Sequence, residues 1–208
     1  MAVRAVLADG TEVELRPVGA DDKPLLERGM ALLSPTSRRL RFMSPIENLS
    51  RSQLAYLTEI DHSSHLAWGV TAGGHPVAVG RLVRLAASPE VAEIAITVVD
   101  EWQRRGIGQI LVRVLAEIGR SVGIERFVFE ALPENQGIVR LLSRFGANHD
   151  FGEGIVSGSL EIASIEAVSP LSGNILELAA AARRVGNPPE PAGAQPSRPR
   201  IRRGTNSA

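Results

Sequence analysis

Apolar residues recur along the chain with two different periods, and the change from one to the other lays out the elements. From Gly106 onward, Ile107, Ile110, Leu111, Val114, Leu115, Ile118 and Val122 recur at helical i, i+3, i+4 spacing. That spacing wraps one apolar stripe along about four turns of an amphipathic helix, and Gly123 stops it. Residues 77–85 and 92–99 are β-branched, mostly apolar runs, the first broken by Arg81 and Arg84, and both read as strands of a sheet with at least one covered face. Residues 126–132 supply another strand, so the unit is strand, turn, helix, strand, which favours a parallel crossover or its split-sheet relatives. Upstream, residues 13–17 read as a strand and Asp21 caps a helix running to about Leu33, with Pro24 in its first turn. Ser50 caps a further helix to about Ile60, and residues 65–72 form a strand that turns back at Gly73-Gly74. Downstream come a short helix over 135–145 ended by Gly146, a last strand over 155–162 and an added helix over 171–184.

Composition changes this picture little. A chain of 208 residues, 44% hydrophobic and 22% charged, has the make-up of a globular protein with one core. Lys+Arg of 23 balances Asp+Glu of 23, so bulk charge attracts neither nucleic acid nor membrane. No run approaches the roughly 18 apolar residues of a membrane span, and the apolar start is too short for a signal peptide. With no cysteine there is no disulfide framework, thiolate metal site or cysteine nucleophile, which fits a cytoplasmic protein. His62 and His65 have no third ligand at useful spacing, so they read as solvated histidines and no metal is expected. Residues 186–208 are rich in Pro, Gly and Ser and poor in large apolar side chains, which predicts a disordered tail. The expected division is 1–165 as the folded domain, 166–185 as a helical extension and 186–208 as the tail.

The chemistry gathers where the strand over 92–99 runs into the long helix. Gln103, Arg104, Arg105, Gly106, Ile107, Gly108 and Gln109 form a glycine-containing turn whose unpaired N–H groups lie at the positive end of the helix dipole. Such a turn cradles a phosphate or pyrophosphate; the same two glycines also fit a plain tight strand-to-helix junction. It is not a nucleotide P-loop, which ends in Gly-Lys-Ser/Thr, nor a dinucleotide fingerprint, because Leu111 stands at the third glycine.

Gln-x-x-Gly-x-Gly between a strand and an amphipathic helix resembles the acyl-CoA-binding motif of the GNAT superfamily of N-acetyltransferases. A second stretch, Asn135-Gln136-Gly137-Ile138-Val139-Arg140-Leu141-Leu142-Ser143-Arg144-Phe145-Gly146-Ala147, looks like that superfamily's asparagine-led helix. The resemblance covers about 13–165. It implies an α/β (α+β) fold: a mixed, mostly antiparallel sheet of six to seven strands, splayed between the strand ending at Val98 and the strand over 126–132, with flanking helices. Acetyl-CoA, the implied co-substrate, would lie in that opening. Ile96, Thr97 and Val98 would pair with its pantetheine arm as an added strand does, and the amides from Arg104 to Gln109 would hold its pyrophosphate. Asn135 would touch it from the other side; taken as a residue alone, Asn135 is also a good helix cap. Residues 33–43 and 92–98 look further like the bacterial Pat-type protein lysine acetyltransferases. This implies a protein partner with an acceptor lysine, such as an acyl-CoA synthetase. In some of those proteins a cyclic-nucleotide domain is fused to the catalytic one, and a chain of this length has no room for it.

Acetyl transfer needs a neutral amine, and a lysine of pKa about 10.4 is neutral only about once in 2500 at pH 7, a deficit of about 4.6 kcal/mol. By the same resemblance Glu93 sits where these enzymes keep a glutamate base, and partial burial in an apolar strand would raise its pKa. Glu130, on the next strand, is the second candidate, as base or as a contact for the substrate ammonium. Many GNAT enzymes carry a tyrosine acid where this chain has Leu142, and the only tyrosine is Tyr56. Arg38, Arg39 and Arg41 would hold a ribose phosphate or an acidic protein, or form a solvated basic loop. Trp68 and Trp102 read as packing residues. A small-amine or N-terminal-amine acetyltransferase and a non-catalytic acyl-CoA-binding module remain the alternatives.

Overall fold

The computed structural model describes residues 2–167 and 172–185, so the expected tail lies outside the described residues. Eight strands form one sheet: β1 (Val3–Val6), β2 (Glu12–Pro17), β3 (His65–Ala72), β4 (His75–Leu85), β5 (Ser88–Val98), β6 (Arg126–Ala131), β7 (Asn148–Gly152) and β8 (Ile155–Glu161). Their spatial order is β1-β2-β3-β4-β5-β6-β8-β7, antiparallel everywhere except between β5 and β6. The α/β class, the mostly antiparallel sheet and the splay therefore hold, with one strand more than the six to seven expected.

The long helix, α4 (Ile107–Ser121), is the crossover between the two parallel strands. Within its apolar stripe Leu111, Val114, Leu115 and Ile118 are fully buried in one core with Leu82, Ala92 and Phe127 of the sheet, and Ile110 and Val122 are partly buried. On the opposite face lie α1 (Lys23–Leu32), α2 (Pro35–Phe42) and α3 (Arg51–Thr58), over smaller clusters such as Met30, Leu33 and Val99. Pro24 sits in the first turn of α1 as expected, while the cap falls on Asp22, one residue beyond Asp21. The helix α5 (Gln136–Ser143) follows β6. The last helix, α6 (Ser172–Val185), packs on α4 and β2 through Ile175 and Ala179. No helix among the described residues is long and apolar enough to cross a membrane.

Candidate functional site

The parallel ladder between β5 and β6 is short. It pairs Val91 with Arg126, Ala92 with Phe127 and Glu93 with Val128, and there it ends. Beyond Glu93, β5 continues beside β4 while β6 continues beside β8, so the strands part and one edge of β5 from Ile94 to Val98 is left without a neighbouring strand. Val99 donates its N–H to the Val77 carbonyl at 2.9 Å and so faces β4. Strand alternation turns the polar groups of Val98 and Ile96 the other way, into the gap. The Gln103 side chain bears this out by donating to the Val98 carbonyl at 3.2 Å. Gln103 is thus engaged with the strand it follows.

That edge lines a cleft of about 660 Å³, together with Ile96, Thr97, Val98, Arg104, Gly106, Gly108, Gln109 and Asn135. Two glycines serve it for different reasons. Gly106, at the N-cap of α4, has φ +90° with open space around it, so its backbone conformation is what demands glycine. Gly108 is one of close approach: a Cβ there would lie 3.0 Å from a methyl of Leu141 on α5. Arg104 also takes a positive φ, of 61°, on the way into the helix. The result is a first turn of α4 whose N–H groups open onto the cleft without a side-chain cap. Arg104, Arg140 and Arg144 make the wall cationic. The last two were not singled out from sequence, although their spacing of four on a short helix places both on one face.

Other expected members are placed differently. The Arg105 guanidinium turns away, donating to Asp9 at 2.8 Å and Thr11 at 2.7 Å and stacking 4.2 Å from the Trp102 ring. Hydrogen bonds that Asp9 accepts, from Thr11 first and then from Arg105, lower its carboxyl to about 2. Only the backbone of Arg105 can serve an anion in the cleft. The Ile107 side chain is buried in the core, which leaves its amide for the same use. Asn135 caps α5, its Oδ1 accepting from the Ile138 N–H at 3.3 Å, while also lining the cleft. Leu142 is fully buried in the core, and it is Leu141 that borders the cleft.

Glu93 lies at the fork itself, and the expected partial burial is not met: it is exposed, because the parting of the strands removes the cover a central strand would have. On its face of the sheet it borders a groove of about 400 Å³ shared with Glu130, His149 and Asp150. Fold register explains the grouping, since Glu93 pairs with Val128, two residues from Glu130, and Glu130 pairs with Ser157, which pairs with Asp150. The two candidate carboxylates are thus brought together, on the groove and outside the cleft.

The stretch read as a basic loop is the helix α2, whose start is fixed by Ser34 as N-cap and Pro35. Asp100 ties it to the end of β5 by accepting from the Ser34 N–H, the Ser34 hydroxyl and the Ser37 hydroxyl. Its arginines separate in role. Arg38 donates to the Leu33 and Glu47 carbonyls, Arg39 pairs with Glu134 at 3.1 Å across the cleft mouth, and Arg41 enters the site. Beneath the helices is an apolar pocket of about 90 Å³, walled by residues such as Met30, Leu33 and Val79. Arg81 also faces it. Only 5% exposed, Arg81 donates to the Leu57 carbonyl at 2.7 Å and is bonded to Nε2 of His65. Burial, followed by the charge of Arg41, lowers Arg81 to about 9. Burial and then Arg81 lower His65 to about 3, so His65 is a neutral, largely enclosed acceptor instead of a solvated ring. Tyr56 packs against it with the rings tilted by 44°, 4.9 Å between ring centres.

A forked pair of parallel strands, joined by a helix whose glycine-led start opens on the fork, is a fold with a known owner. The acetyltransferase (GNAT) family matches residues 34–147, more than half of the chain, and the chain belongs to that family, which uses acetyl-CoA as co-substrate. An acetyltransferase named Pat from Mycolicibacterium smegmatis is 35% identical over 135 residues, covering 64% of this chain and 40% of that protein. An acetyltransferase of Pseudomonas aeruginosa is 32% identical over 124 residues, 58% of this chain and 66% of that one. The chain thus spans less than half of the first and about two thirds of the second. Among solved structures, the GNAT domain of S. lividans PAT superposes with a TM-score of 0.74 at 29% identity, covering 77% of this chain and 96% of that domain. The cleft fits acetyl-CoA on its own chemistry: an unpaired strand edge for an amide-bearing arm, and an open helix start with three arginines for phosphates.

Proposed function

We propose that this chain transfers the acetyl group of acetyl-CoA to the amine of a protein lysine, by direct attack with both substrates bound. The observation that carries the reading is the end of the β5–β6 ladder at Glu93. The carboxylate stands where the unpaired edge begins, between the cleft and the acidic groove. Acetyl-CoA supplies an activated acyl group. The Ile96 and Val98 backbone holds its arm, the first-turn amides from Arg105 to Gln109 with Arg104 bind the pyrophosphate, and Arg140 and Arg144 take the remaining phosphate. Glu130 and Asp150 draw in the acceptor ammonium, and Glu93 removes a proton from it. A protein as acceptor, an acyl-CoA synthetase being one to try, is supported by the likeness to the Pat acetyltransferases. We place the reaction in the cytoplasm, where a chain without cysteine is at home.

The test is acetylation of a bacterial lysate and of a purified acyl-CoA synthetase, with modified sites read by peptide mass spectrometry. Lysine acetylation by wild type, falling about 10²–10⁴-fold in Glu93→Gln while acetyl-CoA binding persists, is the expected result. Wild type that binds acetyl-CoA tightly and acetylates no lysine would overturn the reading.

A further inference from the structure

Arg41 stands at the seam of two cavities: it and Thr97 are the residues that line both the cleft along β5 and the apolar pocket under α1–α3. Neighbouring guanidiniums are engaged, Arg16 with Asp22, Arg38 with two carbonyls, Arg39 with Glu134 and Arg81 with Leu57 and His65. Among the described residues Arg41 has no hydrogen bond and no carboxylate within 4.0 Å, only the Phe42 ring 5.2 Å away. The charged and titratable groups that act on it are Glu93, Tyr56 and Arg81. A half-buried cation without a hydrogen-bonded partner costs stability, and its position on a wall shared by two cavities gives that cost a use.

We propose that the Arg41 guanidinium donates a hydrogen bond to the carbonyl oxygen of the acyl thioester and holds the negative charge that this oxygen gains when the amine attacks. The inference rests on the transfer reading above. Residues of β5 order the parts. The edge at Ile96–Val98 serves the arm, Ala95 and Thr97 face the apolar pocket, and Glu93 follows on the same face, one pleat repeat or about 7 Å beyond Ala95. The reacting carbon lies between Arg41 and Glu93. The ammonium first gives one proton through Glu93 to solvent; as the N–C bond then forms, the carbonyl electron pair moves to oxygen, facing Arg41, and Glu93 takes the second proton from nitrogen. When that pair returns, the C–S bond breaks and the thiolate leaves, to take a proton from solvent. Arg81 is too firmly held by Leu57 and His65 to swing into this role; it lines the floor beneath.

Arg41→Met and Arg41→Lys test it, with acetyl-CoA carrying ¹³C at the carbonyl. In wild type the bound carbonyl resonance moves downfield of its free position, in Arg41→Met it returns toward that position, and Arg41→Lys lies between. The Met variant loses about 10²–10³-fold in kcat and Lys recovers part of the loss. Acetyl-CoA Kd stays within about threefold, and the melting temperature of Arg41→Met is unchanged or higher, since no hydrogen bond is lost. An unmoved ¹³C resonance in the Met variant would overturn the proposal, as would kcat within about threefold of wild type. So would a change confined to the acidic limb of the pH profile, which would mean that Arg41 acts through Glu93. If wild type fails to turn over, the transfer reading falls, and the carbonyl resonance still decides whether Arg41 touches the thioester.

Discussion

Individual side chains set the chemistry of the site through what they give up to water. His65 is enclosed beside a cation: burial first, then Arg81, lowers it to about 3, while the unfolded chain takes up that proton near 6.5. Between those values the unfolded state binds more protons, so this share of stability is complete above about pH 6.5 and is lost as the pH falls. His62, lowered by burial, acts in the same sense. Urea titrations should show wild type losing about 2 kcal/mol from this source between pH 6.5 and 5, and His65→Gln, which keeps an acceptor for Arg81, should be distinctly flatter. Two glycines give a second contrast. Gly106→Ala forces a Cβ into a left-handed conformation and should cost about 1–2 kcal/mol in thermal or chemical melts. Gly108→Ala keeps ordinary helical backbone but pushes Leu141 toward the cleft, so its main effect should be weaker acetyl-CoA binding in calorimetry, with little change in stability. That Gly106 and Gly108 differ in this way was not readable from Gly-x-Gly, because the Leu141 contact joins residues on two helices.

Among the elements, α2 decides the shape of the cleft. Its capping Ser34 and Pro35 are plain in the sequence, but the helix has no buried residue and too little apolar periodicity to announce itself. Its place comes from Asp100, which gathers three hydrogen bonds from Ser34 and Ser37. Asp100→Ala should therefore free α2, lower stability by about 1–3 kcal/mol and raise the Kd for acetyl-CoA, measured by melts and calorimetry on the same sample. Glu134→Gln removes the exposed Arg39 pair and should change stability by less than about 1 kcal/mol. The edge strand β7 was missed for a related reason. Its five residues, Asn148 to Gly152, are mostly exposed, so no alternation of apolar and polar positions marks them, and pairing with β8 alone makes them a strand.

On the scale of the whole molecule, α4 and α6 share one face of the sheet and the N-terminal helices the other. Burial of Ile175 and Ala179 against the same chain packs α6 onto its own sheet. Ile175→Ala should cost about 2–5 kcal/mol by denaturant melts, the usual range for a fully buried aliphatic side chain. The sequence by itself determined the strand–turn–helix–strand unit, the apolar stripe of α4 and the glycine-led turn, because each depends on residues within a few positions of one another. Tertiary structure alone decided that the β5–β6 ladder stops at Glu93, that Arg105 leaves the cleft for Asp9, and that Arg41 and Thr97 lie where two cavities meet. These are relations across tens of residues, and hydrophobic period records which way a side chain faces, not which distant side chain it finds there.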